Sequence, residues 1–214
     1  MCRRYAAFIS FLVVGSVLLR ASPLTANESA QWNIDPSGKT GPITPRMTEA
    51  SLIKTFGKQS VTWGDCDIGE GQSVPGTILF PDDPTRRLEI MWEDNKNRSL
   101  PKQARVYGEK TRWVTWGGVT LGTTLKDLEH LNGKPFELYG FEWDYSGQVK
   151  SWNGGIVQER FGDNRFVVRF SPPEDTTASE QERNTVAGDS TFSSSNPVMQ
   201  KINPRVYDII WFFR

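Results

Sequence analysis

The chain has 214 residues, and its 25 Lys and Arg residues are balanced by 25 Asp and Glu residues. This length fits one domain of ordinary size, and the neutral balance argues against a nucleic-acid partner and against a polybasic membrane-binding surface. Eight tryptophans provide apolar mass for a core.

The first residues have the pattern of a secretory signal peptide. Arg3 and Arg4 precede an apolar run over 8–19, which is shorter than the roughly 20 residues that a membrane-spanning helix needs. We expect cleavage after Ala26, and an uncleaved anchor is the alternative because Leu24 is bulky for the position three residues before the cut. A signal peptide over 1–26 predicts a secreted or periplasmic protein.

After the signal, residues 27–42 are rich in Ser, Pro and Gly, which predicts a flexible arm. One α+β domain is expected over 43–214. Cys66 is then the one remaining cysteine, so an internal disulfide is excluded and stability must come from packing. Its acidic neighbours, Asp65 and Asp67, disfavour a thiolate. Cys66 is therefore predicted to be a buried or merely tolerated thiol, with an intermolecular disulfide as the alternative.

The first half of the domain is predicted to contain one helix and several strands. The helix spans 49–56, between a good N-cap and a glycine stop, Thr48 and Gly57. Strand patterns over 77–80 and 87–92 are separated by turn residues, and the alternation in the second indicates one half-polar sheet face. The segments 104–107 and 111–116 are predicted to form a further hairpin.

A second helix is predicted over 124–131, where leucines recur on one buried stripe: Leu121, Leu125, Leu128 and Leu131. Strand patterns return at three places: 136–141, 148–152 and 165–170. Residues 171–196 are rich in Pro, Glu, Ser and Thr and predict an exposed, mobile loop. A helical turn capped by Asn196 follows. The closing run over 206–213 is apolar on both alternating faces, which suits an inner strand.

The two predicted helices share a spacing of 76 residues. The matched positions are Gly41, Ile43, Thr48, Leu52, Gly57 and Lys58 with Gly117, Val119, Thr124, Leu128, Gly133 and Lys134. Helix caps favour Thr and Gly in any protein, so an internal duplication and chance both remain open. The sequence therefore predicts an α+β fold, with two short helices packed on a largely antiparallel sheet, either as two α/β repeats or as one unit.

The run 122–136, followed by 140–147, resembles a family of uncharacterised exported bacterial proteins over about 43–153 and from Gly188 onward. Its helix-to-strand unit more distantly resembles outer-membrane assembly lipoproteins and β-lactamase-inhibitor-like domains. Those domains bind other proteins and are not enzymes, so the resemblance implies a binding module and supplies no catalytic residue. The chain lacks the lipidated cysteine of the lipoproteins, so the resemblance does not extend to lipid anchoring.

Residue by residue, the sequence predicts no catalytic residue, no cofactor and no metal site. His130, the single histidine, falls on the polar side of the second helix, where a solvated role is expected. Three acids come closest to a calcium loop, but their spacing does not fit an EF-hand, so a solvated turn is expected: Asp65, Asp67 and Glu70. A pair of acids for glycoside hydrolysis stays open, and those that can be named are Glu142, Asp144 and Glu159.

Three aromatic residues near a turn are the predicted binding residues: Trp143, Tyr145 and Trp152. Exposed aromatics can stack on sugars or anchor a protein partner, and packing in the core is the alternative. The leading hypothesis is a non-enzymatic exported module that binds another envelope or secreted protein. A carbohydrate-binding module is one alternative, and a hydrolase with an unrecognised carboxylate pair is the other.

Overall fold

The computed structural model describes residues 32–35, 40–69, 71–161 and 165–213. The predicted signal peptide over 1–26 lies outside the described residues, as do 27–31 and 36–39 of the predicted arm. In the described ranges, no helix has the length and apolar character needed to cross a membrane.

The described chain contains eleven strands in three sheets: β1 (Asn33–Ile34), β2 (Val61–Gly69), β3 (Gln72–Leu79), β4 (Leu88–Asp94), β5 (Ser99–Tyr107), β6 (Val114–Thr115), β7 (Glu137–Tyr139), β8 (Val149–Ser151), β9 (Phe166–Ser171), β10 (Thr191–Ser193) and β11 (Arg205–Phe212). The largest sheet has the order β2-β3-β4-β5-β11-β9, and a smaller one has the order β10-β7-β8. Both are antiparallel throughout, whereas β1 and β6 form a parallel pair.

Five α-helices accompany these strands in the described residues: α1 (Glu49–Phe56), α2 (Leu125–Asn132), α3 (Ile156–Phe161), α4 (Glu180–Asn184) and α5 (Pro197–Ile202). The α+β class is therefore confirmed, but with more helices than the two and a single turn that the sequence predicted. The short helices α3 and α4 escaped prediction because neither shows a long apolar period. The inner position predicted for the closing run is confirmed, since β11 lies between β5 and β9.

Both predicted helices begin at the expected caps. Thr48 and Ser51 form a reciprocal capping box, in which each side-chain oxygen accepts a hydrogen bond from the other residue's backbone N–H. The Thr124 hydroxyl accepts from the Asp127 N–H at 3.2 Å. The helices place Leu52, Leu125 and Leu128 in the same buried core as one face of the largest sheet.

The helices α1 and α2 are joined to the sheet in equivalent ways. The N–H of Glu49 donates to the carbonyl of Arg98 at 2.9 Å, just before β5, and the N–H of Leu125 donates to the carbonyl of Pro204 at 2.9 Å, just before β11. A second hydrogen bond runs in the opposite direction at each joint, from Leu100 to Met47 and from Val206 to Thr123. The two strands so tied, β5 and β11, are neighbours in the sheet and pair with each other.

The hairpin predicted from 104–107 and 111–116 is wrong. The strand β5 pairs with β4 and β11, and β6 pairs instead with β1. Trp113 explains the difference, because its ring is fully buried against Trp32 with centroids 5.1 Å apart. Trp32 and Ile34 are themselves buried, so the described part of the predicted flexible arm is packed into the core.

Two polar segments also differ from their predictions. Asp65 and Asp67, predicted to lie in a solvated turn, belong to β2, which pairs along its length with β3. Glu70, the third acid of that prediction, lies outside the described residues. The loop predicted over 171–196 contains α4 and β10, and it buries Ala178, Val186 and Ser194.

The largest sheet buries residues on both of its faces. The core face carries Val106 and Ile209, which are paired across β5 and β11. We call the opposite side the second face; it carries alternate residues of the same strands and includes Arg105, Glu89 and Asp208, all buried. The predicted half-polar face is therefore present, and its charged side chains are paired: Arg105 with Asp208, and Glu89 with Arg87.

Candidate functional site

A cleft of about 590 Å³ lies on the second face, where several elements converge. The end of β2, the strands β5, β9 and β11, and the turn between β7 and β8 contribute its lining, which consists of Asp67, Ile68, Arg105, Glu142, Trp143, Asp144, Tyr145, Ser146, Arg169 and Tyr207. The paired strands β5 and β11 form its floor, and the end of β2 and the turn between β7 and β8 flank it.

The floor is a buried ion cluster around Asp208. Arg105 donates from Nε to Oδ1 at 2.9 Å and from Nη2 to Oδ2 at 3.0 Å, and Arg169 Nη1 lies 3.5 Å from Oδ2. Burial alone would lower the pKa of Arg105, but the hydrogen bonds and charges of Asp208 and Asp67 raise it overall. The guanidinium therefore remains a cation, and this bidentate geometry holds it rigidly.

Arg105 also fixes one side of the cleft. Its Nη1 lies 3.2 Å from Asp67 Oδ2 and donates a hydrogen bond to the Asp67 carbonyl oxygen. This contact ties the end of β2 to the floor, although the Asp67 side chain remains 50% exposed. Burial and the charge of Asp208 raise the pKa of Tyr207, so its phenol stays neutral.

The other side of the cleft is the aromatic loop, which we define as residues 142–147. Glu142 and Tyr145 have φ values of 69° and 62°, a region that costs a non-glycine residue about 1–2 kcal/mol. Hydrogen bonds hold this shape: the Glu142 N–H donates to Ser146 Oγ at 3.1 Å, and the Ser146 N–H donates to the Trp143 carbonyl at 2.9 Å. A side chain at Gly147 would collide with the Phe170 carbonyl, so glycine lets the loop lie against β9.

The aromatic loop displays two of the three predicted binding residues. Trp143 is 62% exposed and Tyr145 is 56% exposed, and both line the cleft. They lie in the turn between β7 and β8. The Tyr145 ring leans on Tyr139, with centroids 5.6 Å apart. Trp152 is 7% exposed and packs on Phe136, so it belongs to the core.

Three carboxylates meet at the cleft, including two of those named from sequence. Glu142 and Asp144 line it together with Asp67, whereas Glu159 lies on α3, away from the lining. Both oxygens of Asp208 are occupied by guanidinium groups, so the cluster presents neither of them to a substrate. Across the described residues, no group of three or more His, Cys, Asp or Glu side chains is arranged to hold a metal ion.

The floor residues were hard to predict from the sequence. Arg105 and Asp208 are separated by 103 positions, and only the register of β5 with β11 brings them together. One signal was present: Asp208 interrupts an apolar run that was predicted to be an inner strand. A carboxylate at such a position needs a buried cation, although the sequence does not say which one.

The ionic network continues across the second face beyond the cleft. Glu89 Oε1 accepts hydrogen bonds from Arg87 at 2.7 Å and from the Tyr107 hydroxyl at 3.3 Å. Cys66 is buried nearby as a free thiol, which confirms the expected buried cysteine. Burial and the charge of Glu89 raise the pKa of Cys66 to about 12, so the thiol is protonated and unreactive at neutral pH.

No protein-family model, curated protein or solved structure is similar enough to this chain to count as a match. The arrangement of the site itself is therefore the basis for proposing a function.

Proposed function

We propose that this chain is an exported, non-enzymatic binding module that engages another envelope or secreted protein through the cleft and its aromatic loop. The observation that carries the proposal is the exposure of Trp143 and Tyr145 on one structured loop. Large exposed aromatics are costly to leave in water and are enriched among the residues that dominate binding energy. The pattern at the N-terminus supports export.

The surroundings of these two aromatics favour recognition over catalysis. The floor arginines are already hydrogen-bonded to Asp208, and the loop backbone is held by Ser146. Such a site changes little when a partner docks, so less binding energy is lost to ordering it. A surface that exposes both Trp and Tyr has the composition of a protein-interaction hot spot.

We further propose that the domain consists of two α/β repeats with helices packed on a shared sheet. The equivalent joints of α1 and α2 support this proposal. The 76-residue offset also extends to three more identities, Gly64 with Gly140, Gly71 with Gly147 and Gln72 with Gln148. Under this correspondence Asp67 and Ile68 match Trp143 and Asp144, so related strand connections flank the cleft from its two sides.

Two observations keep the alternatives testable. Trp143 and Tyr145 beside hydrogen-bonding side chains also suit a sugar, although the burial of Trp152 leaves two aromatics in place of the predicted three. The shared position of Glu142 and Asp144 in one cleft keeps the hydrolase hypothesis in view. Neither alternative accounts as directly for an exposed tryptophan on a strained loop.

The test is a crosslinking pull-down from the envelope fraction of the source organism, read by mass spectrometry. The bait is the full chain after any natural signal cleavage, compared as wild type, Trp143→Ala and Ile156→Ala. Ile156 is the matched control, because it is 40% exposed and lies on α3, away from the cleft.

We expect one reproducible exported protein, retained by Ile156→Ala and lost with Trp143→Ala. A hot-spot residue is worth 2 kcal/mol or more, so affinity should fall about 30-fold. Equal capture by both variants would show that the aromatic loop is not the binding surface. Retention of a glycan that depends on Trp143, without a protein partner, would favour the carbohydrate alternative. Turnover of a substrate that is lost on Asp144→Asn would favour the hydrolase.

A further inference from the structure

The charge of the cleft is distributed unevenly between its floor and its rim. On the floor, Arg105 is buried and Arg169 is mostly buried, and both are bound to Asp208. The rim carries Glu142 and Asp144, which are exposed, and neither forms an ion pair with any described residue. A docking molecule therefore meets carboxylates first.

A count of the charges gives the same sign. Three carboxylates line the cleft, and Asp208 is buried in its floor, so four negative groups stand against two positive groups, Arg105 and Arg169. The formal charge is −2. The positive groups are neutralised within the protein, so the uncompensated charge belongs to the two carboxylates of the aromatic loop.

Those two carboxylates flank Trp143 in sequence, and Tyr145 follows them. The face of an aromatic ring attracts a cation within about 6 Å of its centroid, most strongly for tryptophan. An anionic or phosphate-bearing partner would face two unpaired carboxylates and would be repelled. Aromatic rings and acids side by side are instead complementary to an ammonium or guanidinium group.

We propose that the cleft receives a basic segment of the partner protein, in which a lysine or arginine side chain lies against Trp143 and pairs with Glu142 and Asp144. This inference rests on the proposed protein-binding function and adds the chemistry of the partner. Across the cleft, Asp67 stays paired with Arg105. The exposed apolar side chain of Ile68 lies next to Asp67 and can pack on the aliphatic stem of that lysine or arginine.

The test uses the full-length protein and two fluorescein-labelled probes, octa-arginine and octa-glutamate. Affinities are measured by fluorescence anisotropy at about 0.05 M salt, where exposed charges are weakly screened. The test variant is Glu142→Gln with Asp144→Asn. The matched control is Glu93→Gln with Glu180→Gln, which removes the same charge from exposed positions outside the cleft.

We expect octa-arginine to bind the wild type and the control variant with similar affinity, and the test variant about tenfold more weakly. Adding Trp143→Ala to the test variant should weaken binding of octa-arginine by a further factor of about three, because the cation–π contact is lost. Octa-glutamate should not bind. Equal losses in the test and control variants would overturn the proposal, as would binding of octa-glutamate.

The outcome can be separated from that of the proposed function. If Trp143→Ala abolishes capture of the envelope partner but octa-arginine binding does not depend on Glu142 and Asp144, the aromatic loop is a binding surface and its preference for a cation is wrong. If Trp143→Ala leaves partner capture intact, the proposed function is wrong, and the inference that rests on it is wrong as well.

Discussion

Removing the carboxylate charge of Asp208 should destabilise the protein more than any other single change to a charged residue of the cleft. In Asp208→Asn the amide keeps the shape of the side chain but no longer neutralises Arg105, which is buried. Asp67 is the other acid near this guanidinium, and it is half exposed at 3.2 Å. Breaking a buried pair in this way costs about 3–5 kcal/mol, because an uncompensated charge is left behind.

Urea unfolding measures this cost directly. With a slope of about 2 kcal/mol per molar urea, a loss of 3–5 kcal/mol lowers the midpoint by roughly 2 M. The matched control is Asp175→Asn, which breaks another Asp–Arg contact, 3.3 Å between Asp175 and Arg205. In that pair the Asp175 side chain is 73% exposed and the Arg205 side chain is 52% exposed. An exposed pair contributes between 0 and about 1 kcal/mol, so the control midpoint should barely move.

A paired replacement tests the cause of the loss. Arg105→Met combined with Asp208→Leu removes both charges from the floor, and well-packed apolar pairs are often neutral replacements for buried ion pairs. Arg169 would lose its partner but can reach water. The double variant should therefore be more stable than Asp208→Asn alone. If Asp208→Asn behaves like Asp175→Asn, or if the double variant is the less stable of the two, an unpaired charge is not the cause.

Three further results are expected. The Cys66 thiol, with its pKa raised to about 12, should resist iodoacetamide at pH 8 in the folded protein and react after denaturation; equal rates would contradict its burial. Leu128→Ala should cost about 2–5 kcal/mol by urea unfolding, because the side chain is fully buried, whereas exposed Lys126→Ala on the same helix should cost less than about 0.5 kcal/mol. Hydrogen bonds from Thr85 and Arg86 lower the pKa of Asp83 to about 2. The stability that this carboxylate contributes is therefore present above its ordinary pKa and is lost as the pH falls toward about 2. Asp83→Asn should flatten the pH dependence of the free energy of unfolding in that window.

Local chemistry made much of the fold predictable. The caps of α1 and α2, and the inner position of β11, depend on nearby residue types, such as Thr48, Thr124 and an apolar run. These signals do not need knowledge of distant parts of the chain. The predicted hairpin that included 111–116 was wrong for the opposite reason: the burial of Trp113 against Trp32 is a contact between distant parts of the chain.

The candidate site was predictable only where it is local. Trp143 and Tyr145 could be predicted as exposed binding candidates because the turn signal beside them, Ser146 and Gly147, is local. Trp152 was assigned with them by proximity in sequence, but it ends in the core because it follows β8 and packs on Phe136. Arg105 and Asp208 could not be found, because the pairing of β5 with β11 alone makes them neighbours.

The proposed repeats also explain where the site lies. The strand connections at 69–72 and 145–148 share a glycine and a glutamine at matched positions, and both glycines have positive φ values, of 70° and 64°. The residues just before them differ, with Asp67 and Ile68 on one side of the cleft and Trp143 and Asp144 on the other. Duplication followed by divergence would give this result if the shared glycine and glutamine were kept to form the turn while the preceding side chains changed to contact the ligand. Under this proposal the cleft lies between the halves because the paired strands β5 and β11 bring both connections to the same floor.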